Sequence, residues 1–116
     1  MSAPVTIERQ PLIQSIAVTA SISTTGTMVN RLAGGGVLVP AGSNLSLLTW
    51  YGCSTDSATA ADWLPIYDRA SPATPAAMTS TVAASQAHPI PDECFGYPFL
   101  RAVGNTTGTV TVCTKG

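Results

Sequence analysis

The chain has 116 residues, of which 9% are charged and 45% hydrophobic, and its formal net charge is -1. That length suits one domain with a single core, large enough to bury roughly two thirds of the surface its unfolded chain exposes. Five basic and six acidic side chains leave no basic patch for phosphates or anionic lipid, so neither direct nucleic-acid binding nor membrane attachment is expected.

With so few ionic groups, the surface owes its polarity to Ser and Thr hydroxyls. Weak charge gives little colloidal repulsion, which suits a chain docked in an assembly. No stretch has the length of a transmembrane helix. The opening "MSAPVTIERQPL" lacks an apolar segment behind a basic one, so export by a signal peptide is not expected.

In chain order, residues 1–11 read as an extended arm and residues 12–116 as one domain. Val5 and Ile7 alternate with Thr6 and Glu8 between Pro4 and Pro11, the pattern of a strand with no partner of its own. Two readings stand for such an arm: it pairs with the edge of a neighbouring subunit, with Val5 and Ile7 as anchors and Arg9 as a rim contact, or it is a disordered or self-packed tail. "IAVTASI" then sets Ile16, Val18, Ala20 and Ile22 against Ala17, Thr19 and Ser21, a half-buried strand.

"MVNRL" and "GVLVP" read as further short strands, with Gly34 to Gly36 allowing a bulge or sharp bend between them. Pro40 to Ser43 reads as a turn with Pro at its second position. In "LSLLTWYG" both faces carry bulk, Leu45, Leu47, Thr49 and Tyr51 on one and Leu48 and Trp50 among the other. That pattern places the strand centrally and needs a cover, from a loop, the arm or a neighbouring subunit, which makes Leu48 and Trp50 candidate interface residues.

The Ala-, Ser-, Thr- and Pro-rich segment 53–93 reads as exposed loops flanking two strands, "WLPIYD" and "STVAAS". "YPFLRAV" and "GTVTVCTKG" complete the series, the latter setting Val110 and Val112 against Thr109, Thr111 and Cys113. Nine prolines and ten glycines leave no room for long helices. About eight short strands in a chain of this size bury their apolar faces as an all-β, two-sheet antiparallel sandwich, jelly-roll-like.

Catalytic signals are weak. Cys53, Cys94 and Cys113 are odd in number and match no zinc spacing, so they read as free thiols packed like small apolar groups. His88, Asp92, Glu93 and Cys94 share "HPIPDEC", but Pro89 and Pro91 hold that segment extended and neighbouring side chains apart, which favours a plain turn over a metal site. Asp56, Asp62 and Asp68 could pair as a glycosidase's carboxylates do, yet solvent around Asp56 and Arg69 beside Asp68 favour two ionised groups. A Ser, His and Asp set has no GxSxG to anchor it. Trp50, Tyr51, Trp63, Tyr67, Phe95, Tyr97 and Phe99 could line a carbohydrate platform, but each lies in or beside an apolar strand and core packing is the better reading.

The blocks "VLVPAGSNLSLLTWYG", "DWLPIYD", "HPIPDECFGYPFLRAV" and "GTVTVCTKG" follow one another across residues 37–116. The pattern, an "AG" turn into a long strand, an aromatic "W.P.YD" strand, a "Y.FLR.V" strand and a closing "GTV.V..KG", resembles small β-sandwich virion proteins encoded beside the capsid and tail genes of tailed bacteriophages. The Thr- and Ala-rich middle departs from it. The resemblance implies a non-enzymatic, cofactor-free structural protein of the virion, a capsid decoration or cement protein that binds and stabilises the assembled head. Its expected partners are the major capsid protein, other virion proteins and copies of itself, with a trimer favoured. A minor tail or head-fibre component, and a carbohydrate- or cell-surface-binding module using the loop between Cys53 and Trp63, are the alternatives.

Overall fold

Two-residue alternation bounded by glycine or proline is the dominant local pattern, and it becomes strand. The structure, a computed structural model, describes residues 11–30, 34–67 and 76–115. Among these lie nine strands: β1 (Pro11–Val18), β2 (Met28–Val29), β3 (Gly35–Val39), β4 (Leu47–Cys53), β5 (Leu64–Pro65), β6 (Thr79–Thr81), β7 (Gln86–Pro89), β8 (Phe99–Gly104) and β9 (Gly108–Lys115). Helix among the described residues is limited to the 3-10 segments Ala60–Asp62 and Asp92–Gly96, and none is long and apolar enough to cross a membrane.

The strands form two antiparallel sheets, ordered β1-β9-β3-β7 and β2-β8-β4-β5, with β6 also on β4. β5 and β6 use the same edge of β4: Leu64 and Pro65 face Gly52 and Tyr51, while Thr79 to Thr81 face Thr49 to Leu47. Between them Trp50 donates its N–H to Met78 O at 3.0 Å and accepts from Ile66 N–H at 3.0 Å. β5 and β6 are therefore halves of one interrupted strand, and Tyr67 and Ala77 form an antiparallel β-bridge with each other. Counting the halves once gives an eight-stranded jelly roll with sheet orders 1-9-3-7 and 2-8-4-(5,6).

The inner faces interdigitate. Ile16, Val18, Val37, Val39, Val110 and Val112 of one sheet meet Met28, Leu48, Trp50, Leu100 and Ala102 of the other, all buried. Each large side chain so buried stabilises the fold by about 1.5–3 kcal/mol. Glycines set how closely the elements approach: a Cβ on Gly35 would lie 2.7 Å from the Cys113 carbonyl oxygen, so only glycine admits β9 at that distance.

Four details differ from the sequence reading. The first strand runs Pro11–Val18 rather than to Ile22, because the Thr25 hydroxyl binds Thr19 O and Ser21 O and curls the chain away. In the turn after β3, Ser43 N–H bonds Pro40 O, so Pro40 is the first residue and Gly42, at φ 81°, takes the left-handed position. "QAHP" pairs with β3 as an additional edge strand, β7; proline is tolerated at an edge because a ladder bond is dispensable there. Leu48 and Trp50 are fully buried, each 0% exposed, so they are core residues and not interface residues. Their face of β4 looks inward, and the open face carries Leu47, Thr49 and Tyr51. The candidate contacts Val5, Ile7 and Arg9 lie outside the described residues.

One side chain ties the sheets along an edge. Gln14 shares its face with Val112, and its carboxamide donates to Val29 O and accepts from Val29 N–H, both at 2.9 Å. It acts as a peptide group would, joining β1 to β2 across the sandwich. Gln14→Ala is expected to lower unfolding free energy by about 1–2 kcal/mol, read from denaturant midpoints with an unchanged slope. An unshifted midpoint would mean that water replaces both bonds without cost.

Candidate functional site

Cross-strand register decides which side chains share a sheet face. On the outer face of the β1-β9-β3-β7 sheet, one row is Ile13, Cys113, Gly36 and Pro89, and the next is Ser15, Thr111, Leu38 and Ala87. Ala17 and Thr109 follow. None of these side chains is charged, and Ile13 and Leu38 stand 65% and 46% exposed. The next row on this face, Pro11 and Lys115, places one lysine position at the end of β9; inside that row the ten positions form an uncharged patch with two exposed aliphatic residues.

A second feature lies where the other sheet runs past the core. Leu64 and Leu100 both pair with Gly52 and so share its face, yet Leu100 is buried while Leu64 is 65% exposed. Beyond this point a groove of about 1050 Å³ opens, lined by residues including Cys53, Asp62, Leu64, Pro65, Tyr67 and Tyr97. A smaller extension adds Asp92 and Glu93.

Its walls are held by main-chain and side-chain bonds. The buried Asn30 carboxamide donates to Cys94 O at 3.2 Å and Tyr97 O at 2.9 Å, and Asn30 N–H reaches Pro98 O at 2.9 Å. The turn carrying Tyr97 is thereby clasped. The tyrosine ring lies across Gly52, where a Cβ would come within 2.7 Å of ring carbon. On the other wall Ser57 donates its hydroxyl to Asp62 Oδ2 at 2.5 Å, and Ser57 O accepts from Trp63 Nε1 at 3.1 Å and Arg101 Nη2 at 3.3 Å.

Arg101 is itself buried. Its guanidinium stacks 4.3 Å from the centroid of Trp63, and it donates to Thr27 Oγ1 at 3.0 Å and Ile22 O at 2.6 Å. Neutral oxygens and an aromatic face thus hold the cation, joining the loop after β1 and the loop after β4 to β8.

The structure separates the remaining candidates. His88 sits half-buried on β7 with Nε2 2.9 Å from Gln86 Oε1, while Cys94 is buried behind the exposed Asp92. Among the described residues no three His, Cys, Asp or Glu side chains converge as metal ligands would. Asp56 is exposed and Asp62 belongs to the groove; Asp68 lies outside the described residues. All three cysteines are free, Cys53 and Cys94 buried and Cys113 half-buried on the neutral face. Trp50 and Trp63 are core, and Tyr51, Phe95 and Phe99 are half-buried. Tyr67 and Tyr97 depart from the expectation of core packing: they are 53% and 40% exposed and stand in the groove. Pro98 directly after Tyr97 was the local signal that this ring does not continue an apolar face; Tyr67 carried none.

The chain matches no family model, no curated protein and no solved structure.

Two expected outcomes follow from the buried groups. Arg101→Met keeps bulk but removes three donors, taking the guanidinium from Ile22 O and leaving Ser57 O with Trp63 Nε1 alone, and is expected to cost about 3 kcal/mol with faster amide exchange in residues 54–62. Unchanged exchange there would show that the loop is held without Arg101. Burial, and then the charge of Glu93, push the Cys94 thiol up to about 12, whereas an unfolded thiol titrates near about 8.5. Between these values the unfolded chain has lost the proton and the folded chain retains it, so stability falls as pH rises through that window. Denaturant titrations of the protein and of Cys94→Ala at increasing alkaline pH are expected to show the steeper loss in the unsubstituted chain; parallel losses would place the thiol in contact with solvent.

Proposed function

We propose that the chain is a non-enzymatic structural protein of a virion, a decoration or cement protein that docks on an assembled capsid. The neutral outer face of the β1-β9-β3-β7 sheet carries this reading. Inside the Pro11–Lys115 row, ten register-aligned positions without a charge form a patch that two partners can bury without desolvating an ion. The low charge of the whole chain and the block pattern over residues 37–116 support it further. The partners in this reading are the major capsid protein and other copies of the chain, arranged as a homo-oligomer with a trimer favoured, and no cofactor takes part.

Ile13 and Leu38 replace Leu48 and Trp50 as the contacts that matter. Ile13→Asp and Leu38→Asp sit on an exposed face and are expected to change stability by no more than about 0.5 kcal/mol. Placing a charge at the centre of a neutral interface is expected to cost about 2 kcal/mol or more of binding, roughly thirtyfold. Occupancy of purified particles, followed by quantitative gels over a salt series, tests both parts. Binding by the unsubstituted chain is expected to persist at high salt, because the ten aligned positions carry no charge to screen. Copy numbers on the order of hundreds per particle fit a head-decorating role, whereas full occupancy by both aspartate variants would remove this face from the interface.

A further inference from the structure

We infer that the groove bounded by Tyr67, Tyr97, Leu64 and Asp62 is a binding site for a neutral oligosaccharide, independent of the docking face. Three observations converge on that ligand class. Two half-exposed tyrosine rings, 53% and 40%, stand in the same open groove of about 1050 Å³, with Leu64 and Pro65 between β4 and solvent. The C–H faces of sugar rings pack on such surfaces, while phenolic hydroxyls at the rim remain wet. The volume is at the upper end of that of small-molecule pockets and takes a chain of sugar rings rather than a compact ion.

The polar groups fit the same ligand. Asp62 is held by the Ser57 hydroxyl at 2.5 Å, and Asp92 and Glu93 stand at the smaller extension beside Tyr67 and Tyr97. A carboxylate accepts two hydroxyl donors at once, and Ser54 and Thr55 add hydroxyls of their own to the lining. No Lys, Arg or His is among the described residues of either lining, so sulfated, phosphorylated or carboxylated sugars meet like charge and uncharged ones do not. A lone ammonium group would need aromatic rings closed around it, whereas two tyrosines are the aromatic residues among the described lining.

The site is also preorganised. Tyr97 is fixed by the Asn30 clasp on its own carbonyl and by the Gly52 floor, which leaves no room for a Cβ. The wall carrying Asp62 is fixed through Ser57 to Trp63 and Arg101. Little ordering entropy remains to be lost when a ligand enters.

The test uses the full chain in isolation and no particles, so its outcome is separable from that of capsid docking. Neutral gluco-, xylo- and galacto-oligosaccharides are titrated to millimolar concentration against the labelled protein by NMR, with sialylated and sulfated analogues and a lysine-rich peptide in parallel. Saturable shifts at Tyr67, Tyr97 and Asp62 for at least one neutral oligosaccharide are expected, and weaker or no shifts for the anionic analogues. Tyr97→Ala and Tyr67→Ala are each expected to weaken binding by about tenfold or more, and Tyr97→Phe to retain it, because the ring face and not the hydroxyl makes the contact. Gly52→Ala displaces the ring of Tyr97 and is expected to weaken binding likewise, with melting temperatures confirming that each variant is folded. The absence of saturable shifts with every neutral oligosaccharide, binding that both alanine variants leave intact, or preference for the lysine-rich peptide would overturn the assignment.

Discussion

The main chain of Trp50 holds together an interrupted strand. Its N–H and C=O are bonded to Met78 and Ile66, residues from the two halves, while its indole is fully buried and reaches Ser80 Oγ at 2.9 Å. The same residue therefore fills the centre of the core and joins the two halves on either side of the Tyr67–Ala77 bridge. A gap in the edge strand would otherwise leave the main-chain groups of Trp50 unpaired beside an apolar interior, at a cost of about 1–3 kcal/mol each. With the ladder restored around Trp50, the sheet is continuous and Tyr67 is delivered to the groove from a fixed base.

Few charges make the buried arginine more informative. A guanidinium out of water is costly unless its donors are satisfied, and Arg101 meets this requirement with Thr27, Ile22 O, Ser57 O and the face of Trp63. The arrangement turns one side chain into a clamp on two loops that strand pairing alone would leave loose. Ser57 then transmits that order to Asp62. Loop placement at this end depends on hydrogen bonds to one cation, whereas the centre of the sandwich depends on apolar burial.

The strand set was legible because alternation survives in a sequence with few helix formers: Val110 and Val112 against Thr109 and Thr111 admit one reading, and the structure shows it. What was not legible depended on distant partners. Leu48 and Trp50 looked like a second exposed face because Leu45, Leu47 and Tyr51 are equally bulky, and only the position of the opposite sheet decides which set turns inward. Ile22 continued the alternation of Ile16 and Val18, but the Thr25 hydroxyl competes for the main chain there. The groove was hidden for the same reason. Its walls come from residues near 52, 64 and 97, and the clasp that aims Tyr97 starts from Asn30, a separation no local pattern records.

The neutral face and the groove belong to opposite sheets, and this arrangement bears on how they could work together. The face is formed by β1, β9, β3 and β7, whereas the groove is built on β4, β5 and the turn before β8. A protein docked through the outer face of the first sheet would touch none of the described residues that line the groove, because no residue of β1, β3, β7 or β9 is among them. Such a division needs no movement between the sheets: Gln14 fixes β1 to β2 and the interdigitated core fixes the rest. Attachment and recognition would then be independent in energy as well as in position, because substitutions at Ile13 or Leu38 share no neighbours with Tyr67, Tyr97 or Asp62, and well-separated sites contribute additively.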